Sequence, residues 1–134
     1  MPHQLINPKS LGSPRGYSNG VLAEAGGRWL FVAGQIAWDD TQTIVSDDFV
    51  KQFDRALANV MTVVNEAGGV AADIARLVIY VKDKREYIAR RAEIGDTYRA
   101  HLGKHFPAMV LVEVKDLLDD RAKMEIEAIA VLNS

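Results

Sequence analysis

Phe106-Pro-Ala-Met-Val-Leu-Val-Glu-Val114 and Lys123-Met-Glu-Ile-Glu-Ala-Ile-Ala-Val-Leu132 are two strongly apolar runs separated by a short charged segment. In a β-strand successive side chains point to opposite faces, so residues two apart share one face of the sheet. Apolar residues occupy both sets of alternate positions in these runs, which is typical of strands buried on both faces. We predict that the two runs are strands paired with each other.

Two segments before these strands show helical periodicity. From Phe49 to Ala67 the apolar residues recur three or four apart, and Gly68-Gly69 supplies a left-handed stop. Ser46 is the predicted N-cap of this helix. A second helix is predicted from about Arg85 to Leu102, ended by Gly103.

Three further segments have the composition of strands. Leu77–Val81 is rich in β-branched and aromatic residues. Val21–Ala25 and Arg28–Ala33 flank Gly26-Gly27, a two-residue connection that favours a tight hairpin. Leu5-Ile6 is expected to add a short edge strand.

The order of these elements predicts an α+β fold with one mixed or largely antiparallel sheet and both helices packed on one face. The length of 134 residues and the hydrophobic fraction of 49% fit a single domain spanning residues 1–134. Two helices cover only one face of a sheet whose strands are apolar on both. We therefore predict that association with further copies of the chain covers the second face.

Composition and motifs exclude several classes of function. With 18 acidic and 16 basic residues the chain lacks the positive charge that nucleic-acid binding requires, so a nucleic-acid partner is not expected. The absence of cysteine excludes disulfides and thiolate chemistry. No apolar run has the length of a membrane span or signal-peptide core, so we expect a cytoplasmic location. No phosphate-binding or dinucleotide-binding glycine motif is present, and no cofactor is expected.

His101 and His105 have the spacing of a helical metal-binding pair. Gly103 lies between them and is predicted to end the helix, and the sequence offers no third ligand nearby. We predict no metal site.

Two carboxylates interrupt the last strand. Glu125 and Glu127 lie two apart and share one face, where burying a charge is costly unless it is paired. In a structural interpretation both are solvated or bridged to Lys123 or Arg121 near the strand end. In a functional interpretation a carboxylate orients water or transfers a proton at a subunit boundary.

Two positions in loops and strand ends are further candidates. Tyr17 lies in a glycine-rich loop, where its ring either fills space under the loop or contacts a ligand. Gly34 ends a strand after Ala33, and it either allows a ligand to approach the backbone or marks a bulge.

A set of landmarks in consistent order covers nearly the whole chain and resembles the Rid family of reactive-intermediate (enamine/imine) deaminases. The landmarks are Gly16-Tyr17, Gly20-Val21, Gly34-Gln35-Ile36, Asp54, Leu57, Asn59-Val60, Val81-Lys82-Asp83, Thr97-Tyr98, Phe106-Pro107-Ala108, Val112-Glu113-Val114 and Glu125–Val131. The resemblance implies a fold similar to bacterial chorismate mutase. It also implies a homotrimer in which the sheets form a barrel and small-molecule ligands bind in clefts between subunits.

The resemblance further implies roles for individual residues. In deaminases of this family an arginine follows the Pro-Ala pair and grips the substrate carboxylate, while a glutamate on the last strand works with a water molecule. Here Glu125 matches the glutamate, Tyr17 matches a tyrosine that lines the pocket, and Met109 stands at the arginine position. The implied catalytic residues are Glu125 and Tyr17, and the implied substrate-binding residues are Ala33, Gly34, Gly95, Met109 and Leu111.

Three hypotheses for function follow. The first is a hydrolase of the deaminase type, acting on an enamine, imine or related reactive metabolite other than a simple 2-imino acid. Its substrate either lacks an α-carboxylate or binds another cation, for which Arg15 is the candidate. The second is a non-catalytic trimer that binds a ligand or a partner protein in the same clefts. The third is an endoribonuclease or translation inhibitor, which the acidic balance and the lack of a catalytic histidine pair disfavour.

Overall fold

A computed structural model describes residues 3–133 of the chain, and within them the fold is α+β, as predicted. The strands are β1 (Gln4–Ile6), β2 (Gly20–Leu22), β3 (Arg28–Gln35), β4 (Ile74–Val81), β5 (Ala108–Glu113) and β6 (Met124–Leu132). The helices are α1 (Phe49–Glu66), α2 (Lys84–Ala89) and α3 (Arg91–Leu102), with 3₁₀ turns at Lys9–Leu11 and Ala71–Asp73.

Helix α1 confirms the periodicity seen in the sequence, since Phe53, Leu57 and Val60 are buried along one side. The predicted N-cap was wrong. Asp48 is the N-cap and accepts a hydrogen bond from the backbone N–H of Lys51 at 3.0 Å, while the Ser46 hydroxyl accepts one from the N–H of Asp48. Both residues satisfy N–H groups near the start of the helix, so the helix begins two residues later than expected.

The main sheet has the strand order β3-β6-β4-β5, so the predicted pairing of the last two strands was wrong. Strand β6 is antiparallel to both β3 and β4, and β5 is parallel to β4 at the edge. The parallel pair is joined through α2 and α3, the kind of long crossover that a parallel connection requires. The segment between β5 and β6 is long enough to pass over the end of β4.

The predicted hairpin across Gly26-Gly27 was also wrong. Strand β2 pairs with β1 in a separate two-stranded sheet, which confirms the short strand at Leu5-Ile6, and β3 pairs with β6. A side chain on Gly27 would collide with Val131 and approach the carbonyl oxygen of Leu132 to 3.2 Å. Gly27 therefore lets the chain pass close to β6 on its way from the small sheet to the main sheet.

The second helix is interrupted at Arg90, where the prediction had one continuous helix. Arg90 has φ −121° and ψ 24°, outside the helical region, so α2 ends and α3 begins at this residue. Its guanidinium binds both carboxylate oxygens of Glu93 and reaches Asp48 at 3.0 Å. The residue at the break therefore links the start of α3 to the start of α1.

The two faces of the sheet differ in what covers them. Helices α1 and α3 pack on one face, where the core residues of β6 are Met124, Ile126, Ala128, Ala130 and Leu132. On the opposite face, called the open face below, Trp29 and Phe31 are 64% and 69% exposed, with ring centroids 6.0 Å apart. Val110 and Val112 are also exposed there. The sequence therefore anticipated correctly that the helices leave one apolar face uncovered.

Candidate active site

A cavity of about 570 Å³ opens on the helix side of the sheet, and it is called the helix-side cavity below. It lies between the N-terminal loop, the helices and β5. Four of the residues expected at the site line it together: Tyr17, Gly95, Met109 and Leu111.

The N-terminal loop is fastened to the start of β5, and this places Tyr17 at the cavity. The backbone N–H of Ser18 donates to the carbonyl of Pro107 at 3.0 Å, and its hydroxyl donates to the carbonyl of Phe106 at 2.5 Å. Ser18 is buried, whereas the neighbouring Tyr17 ring is 38% exposed. The aromatic ring therefore lines the cavity, on a loop held by backbone contacts.

The floor of the cavity is apolar. Met109 and Leu111 project to the helix side because Met109 pairs with Leu77, a residue of the helix-covered core. Beside them the rings of Tyr98 and Phe106 are stacked, with centroids 5.4 Å apart. Burial raises the pKa of Tyr98 above its usual value, so its hydroxyl stays neutral and donates to the carbonyl of His105.

Three arginines line the cavity in addition to the apolar floor: Arg15, Arg91 and Arg99. Arg15 had been considered from the sequence, but Arg91 and Arg99 were missed. Arg91 lies four residues before Gly95 and Arg99 lies four residues after it, so these three residues of α3 share one face of the helix. The helical spacing of the two arginines around Gly95 is the sequence signal that marks them, and it lies outside the apolar face of this helix.

Glu125 lies on the other side of the sheet, next to Gly34. A Cβ atom built on Gly34 would lie 2.7 Å from the carboxylate carbon of Glu125, so the missing side chain leaves the space that the carboxylate occupies. Within residues 3–133 the carboxylate of Glu125 makes no hydrogen bond or ion pair. Ala33 and Gly34 lie in the irregularity that shifts the β3 register between Val32 and Gln35. Glu125, Ala33 and Gly34 thus form a second group of expected site residues.

Glu127, two residues further along β6, is engaged differently. Its carboxylate accepts a hydrogen bond from the Tyr80 hydroxyl at 2.5 Å, and this bond raises the pKa of Tyr80. The arrangement fits the structural interpretation of Glu127, with Tyr80 as its partner in place of the anticipated Lys123 or Arg121.

The two groups lie on opposite faces of the same sheet. Leu77, which pairs with Met109, belongs to the helix-covered core, whereas Tyr80, which pairs with Glu125, lies on the open face. Within one chain Glu125 therefore cannot reach a ligand in the helix-side cavity. The structure assembles each of the two groups of expected site residues, but within one chain it keeps the two groups apart.

The histidine rings make their hydrogen bonds outside the cavity. His101 pairs with Asp54 at 2.7 Å, and His105 and His3 bond the carbonyl oxygens of Ile74 and Asp73. Among residues 3–133 there is no cluster of three or more potential metal ligands. Over the same range, no helix combines the length and apolar character needed to cross a bilayer.

Comparison with known proteins identifies the family. A family model described as Endoribonuclease L-PSP matches residues 8–132, almost the whole chain. A RutC family protein of Pyrococcus abyssi is 35% identical over 124 residues, which cover 92% of this chain and 89% of the relative. The chain belongs to the Rid family, as its landmarks indicated.

Two further relatives connect this family to a structure and to a named activity. The Yersinia pestis Rid family protein YyfB, itself described as of unknown function, superimposes with a TM-score of 0.87 at 32% identity and covers 98% of this chain and 100% of its own. A Salmonella typhimurium relative named 2-iminobutanoate/2-iminopropanoate deaminase is 37% identical over 108 residues, covering 78% of this chain and 80% of its own.

Proposed function

We propose that the protein is a small-molecule hydrolase that acts on an enamine or imine, in a cleft formed between copies of a homotrimer. The observation that carries this proposal is the separation of the expected site residues into two groups on opposite faces of one sheet. Neither group is a complete site. In the proposed cleft the helix-side cavity of one copy faces Glu125 of the next.

The open face supports the association. It presents Trp29 and Phe31 largely exposed on one edge strand, β3, and exposed valines on the opposite edge strand, β5. Exposed apolar surface of this kind marks an interaction site, and homo-oligomers close such surfaces by symmetry. Glu125 and Gly34 lie on this same face, so a second copy seated on it would bring its own residues to the carboxylate.

The chemistry proposed for Glu125 is general base and acid catalysis. Its carboxylate takes a proton from a water molecule, and the water oxygen bonds to the electrophilic imine carbon. That proton passes to nitrogen, which gives a carbinolamine. The carboxylate then transfers the hydroxyl proton to nitrogen as the carbon–nitrogen bond breaks, and the products are a carbonyl compound and ammonia. A positioned carboxylate contributes about 10²- to 10⁴-fold to such a step. Tyr17 lies at the cavity to orient the substrate.

The proposed substrate differs from a simple 2-imino acid because Met109 lies on the floor. A methionine side chain carries no donor for a carboxylate. A charge-assisted contact is worth about 1.5–3 kcal/mol, so its absence weakens recognition about ten- to a hundredfold. We expect the enzyme to prefer substrates that lack a carboxylate at the imine carbon.

Ammonia release tests the proposal. Imines are generated in situ by an amine oxidase or an amino-acid oxidase, and the rate is compared with the spontaneous rate. We expect acceleration for imines without the adjacent carboxylate and weak or no acceleration for 2-iminopropanoate. Glu125→Gln should abolish the acceleration, whereas the control Glu127→Gln should retain most of it. Full activity of Glu125→Gln would remove this residue from the mechanism, and rapid turnover of 2-iminopropanoate would refute the proposed substrate preference.

A second candidate is a non-catalytic trimer that binds a ligand or a partner in the same clefts. The apolar floor formed by Met109 and Leu111 favours it, since such a floor binds without performing chemistry. Saturable binding of a small molecule to both wild type and Glu125→Gln, with no ammonia release from any imine tested, would support this candidate over the hydrolase.

A further inference from the structure

The charged side chains that line the helix-side cavity are all positive. Three arginines line it, and no carboxylate of residues 3–133 does. Arg99 is paired with Asp96 at 2.6 Å. Arg15 and Arg91, by contrast, make no hydrogen bond or ion pair with any residue in the part of the chain that the structure describes. Two uncompensated positive charges at one cavity attract an anionic ligand.

The apolar floor decides where an anionic group can lie. At Met109 and Leu111 an anion would lose its water without gaining a hydrogen-bond donor, which is strongly unfavourable. The free cations are carried instead by the N-terminal loop and by the first residue of α3, outside the sheet. The rim therefore favours an anionic group, and the floor favours an apolar one.

We propose that the ligand of this cavity is an acid whose anionic group is held by Arg15 and Arg91, and whose apolar segment contacts Met109 and Leu111. The inference rests on the proposed function, since it takes the cavity to be the substrate-binding half of the cleft. It specifies the substrate class as an enamine or imine in which an apolar segment separates the carboxylate from the reacting carbon.

Calorimetric titration with two matched probes tests this inference without turnover. The probes are 3-phenylpropanoate and its neutral amide, 3-phenylpropanamide. We expect the acid to bind about tenfold more tightly than the amide at low salt, an advantage that shrinks as ionic strength rises. Arg15→Ala and Arg91→Ala should each weaken acid binding about three- to tenfold and leave amide binding unchanged.

Controls separate a specific contact from the general charge of the protein. Arg85→Ala removes an exposed arginine of α2 that does not line the cavity, and it should leave both affinities unchanged. Arg91→Lys keeps the charge and should recover part of the acid binding. Circular dichroism and thermal melting verify that each variant is folded.

Several results would overturn the inference: equal affinity for acid and amide, no detectable binding of either probe, or an Arg85→Ala effect as large as that of Arg91→Ala. The outcome is distinguishable from that of the hydrolysis proposal. Ammonia release combined with equal probe affinities overturns only this inference. Acid-selective binding that depends on Arg15 and Arg91, without ammonia release from any imine, supports the anion-binding site, and it refutes the hydrolysis together with the substrate class.

Discussion

A cleft shared between two copies can be rebuilt from two inactive variants. Glu125→Gln keeps the helix-side cavity and removes the carboxylate. Gly95→Trp keeps the carboxylate and fills the cavity from α3, where the nearest side chain to an added Cβ atom is the Arg99 guanidinium, at 3.3 Å. Each variant alone should be inactive, and a trimer that contains both should regain working clefts.

The size of the recovery follows from the geometry. A working cleft needs its cavity from a Glu125→Gln copy and its carboxylate from a Gly95→Trp copy. In an equimolar mixture assembled at random each condition holds for half of the clefts, so about a quarter of them are intact. Mixing wild type with Glu125→Gln should leave about half of the clefts intact. Every copy in that mixture has a cavity, so a cleft works whenever the copy that supplies residue 125 is wild type.

The assay is ammonia release after the two variants are unfolded together in urea, mixed and refolded. Preformed trimers mixed without unfolding serve as the control and should stay inactive. If refolded mixtures of the two variants show no activity while the mixture with wild type shows about half, both halves of the site belong to one chain. That pair of results would falsify the composite cleft.

Three further predictions follow from contacts described above. Gly34→Ala should displace the Glu125 carboxylate and lower kcat/KM about a hundredfold with little change in Tm; unchanged turnover would separate this glycine from the mechanism. Phe31→Asp on the open face should convert the trimer to monomers in light scattering and abolish activity, and a wild type that is already monomeric at micromolar concentration would contradict the proposed association. Asp48→Ala should lower the free energy of unfolding by about 1 kcal/mol in urea titrations at pH 7. The backbone N–H that Asp48 caps, followed by Arg90, lowers the pKa of Asp48, so its contribution is present above the unfolded pKa of about 3.9 and is lost as pH falls through the lower folded value. A difference between wild type and variant that persists undiminished at pH 2 would contradict this assignment.

The sequence predicted those parts of the fold that depend on local periodicity. The apolar spacing along α1 and the alternation along β6 report which side chains are buried, and these positions were placed correctly. Alternation does not report the neighbouring strand, so β5 and β6 were wrongly paired. Their true neighbours depend on the helical crossover that makes β5 parallel to β4.

The other differences have tertiary causes. The break falls at Arg90, which pairs with Asp48 more than 40 residues away, and no glycine or proline marks it. Gly27 signals a turn in the sequence, but its role is to let the chain pass close to Val131. For the candidate site, the sequence pointed to Tyr17, Met109 and Glu125 but not to the arginines of α3. It also did not give the division of the site between the two faces, which follows from the registers of β5 and β6 against β4.

Trp29 gives the open face an intrinsic optical reporter. This residue is 64% exposed in a single copy, whereas Trp38, the other tryptophan, is half-buried against a small apolar cluster that contains Ile44 and Ala122. Under the proposed association, dilution would shift tryptophan emission to longer wavelengths as the copies separate. The dissociation constant could then be measured on the unlabelled protein.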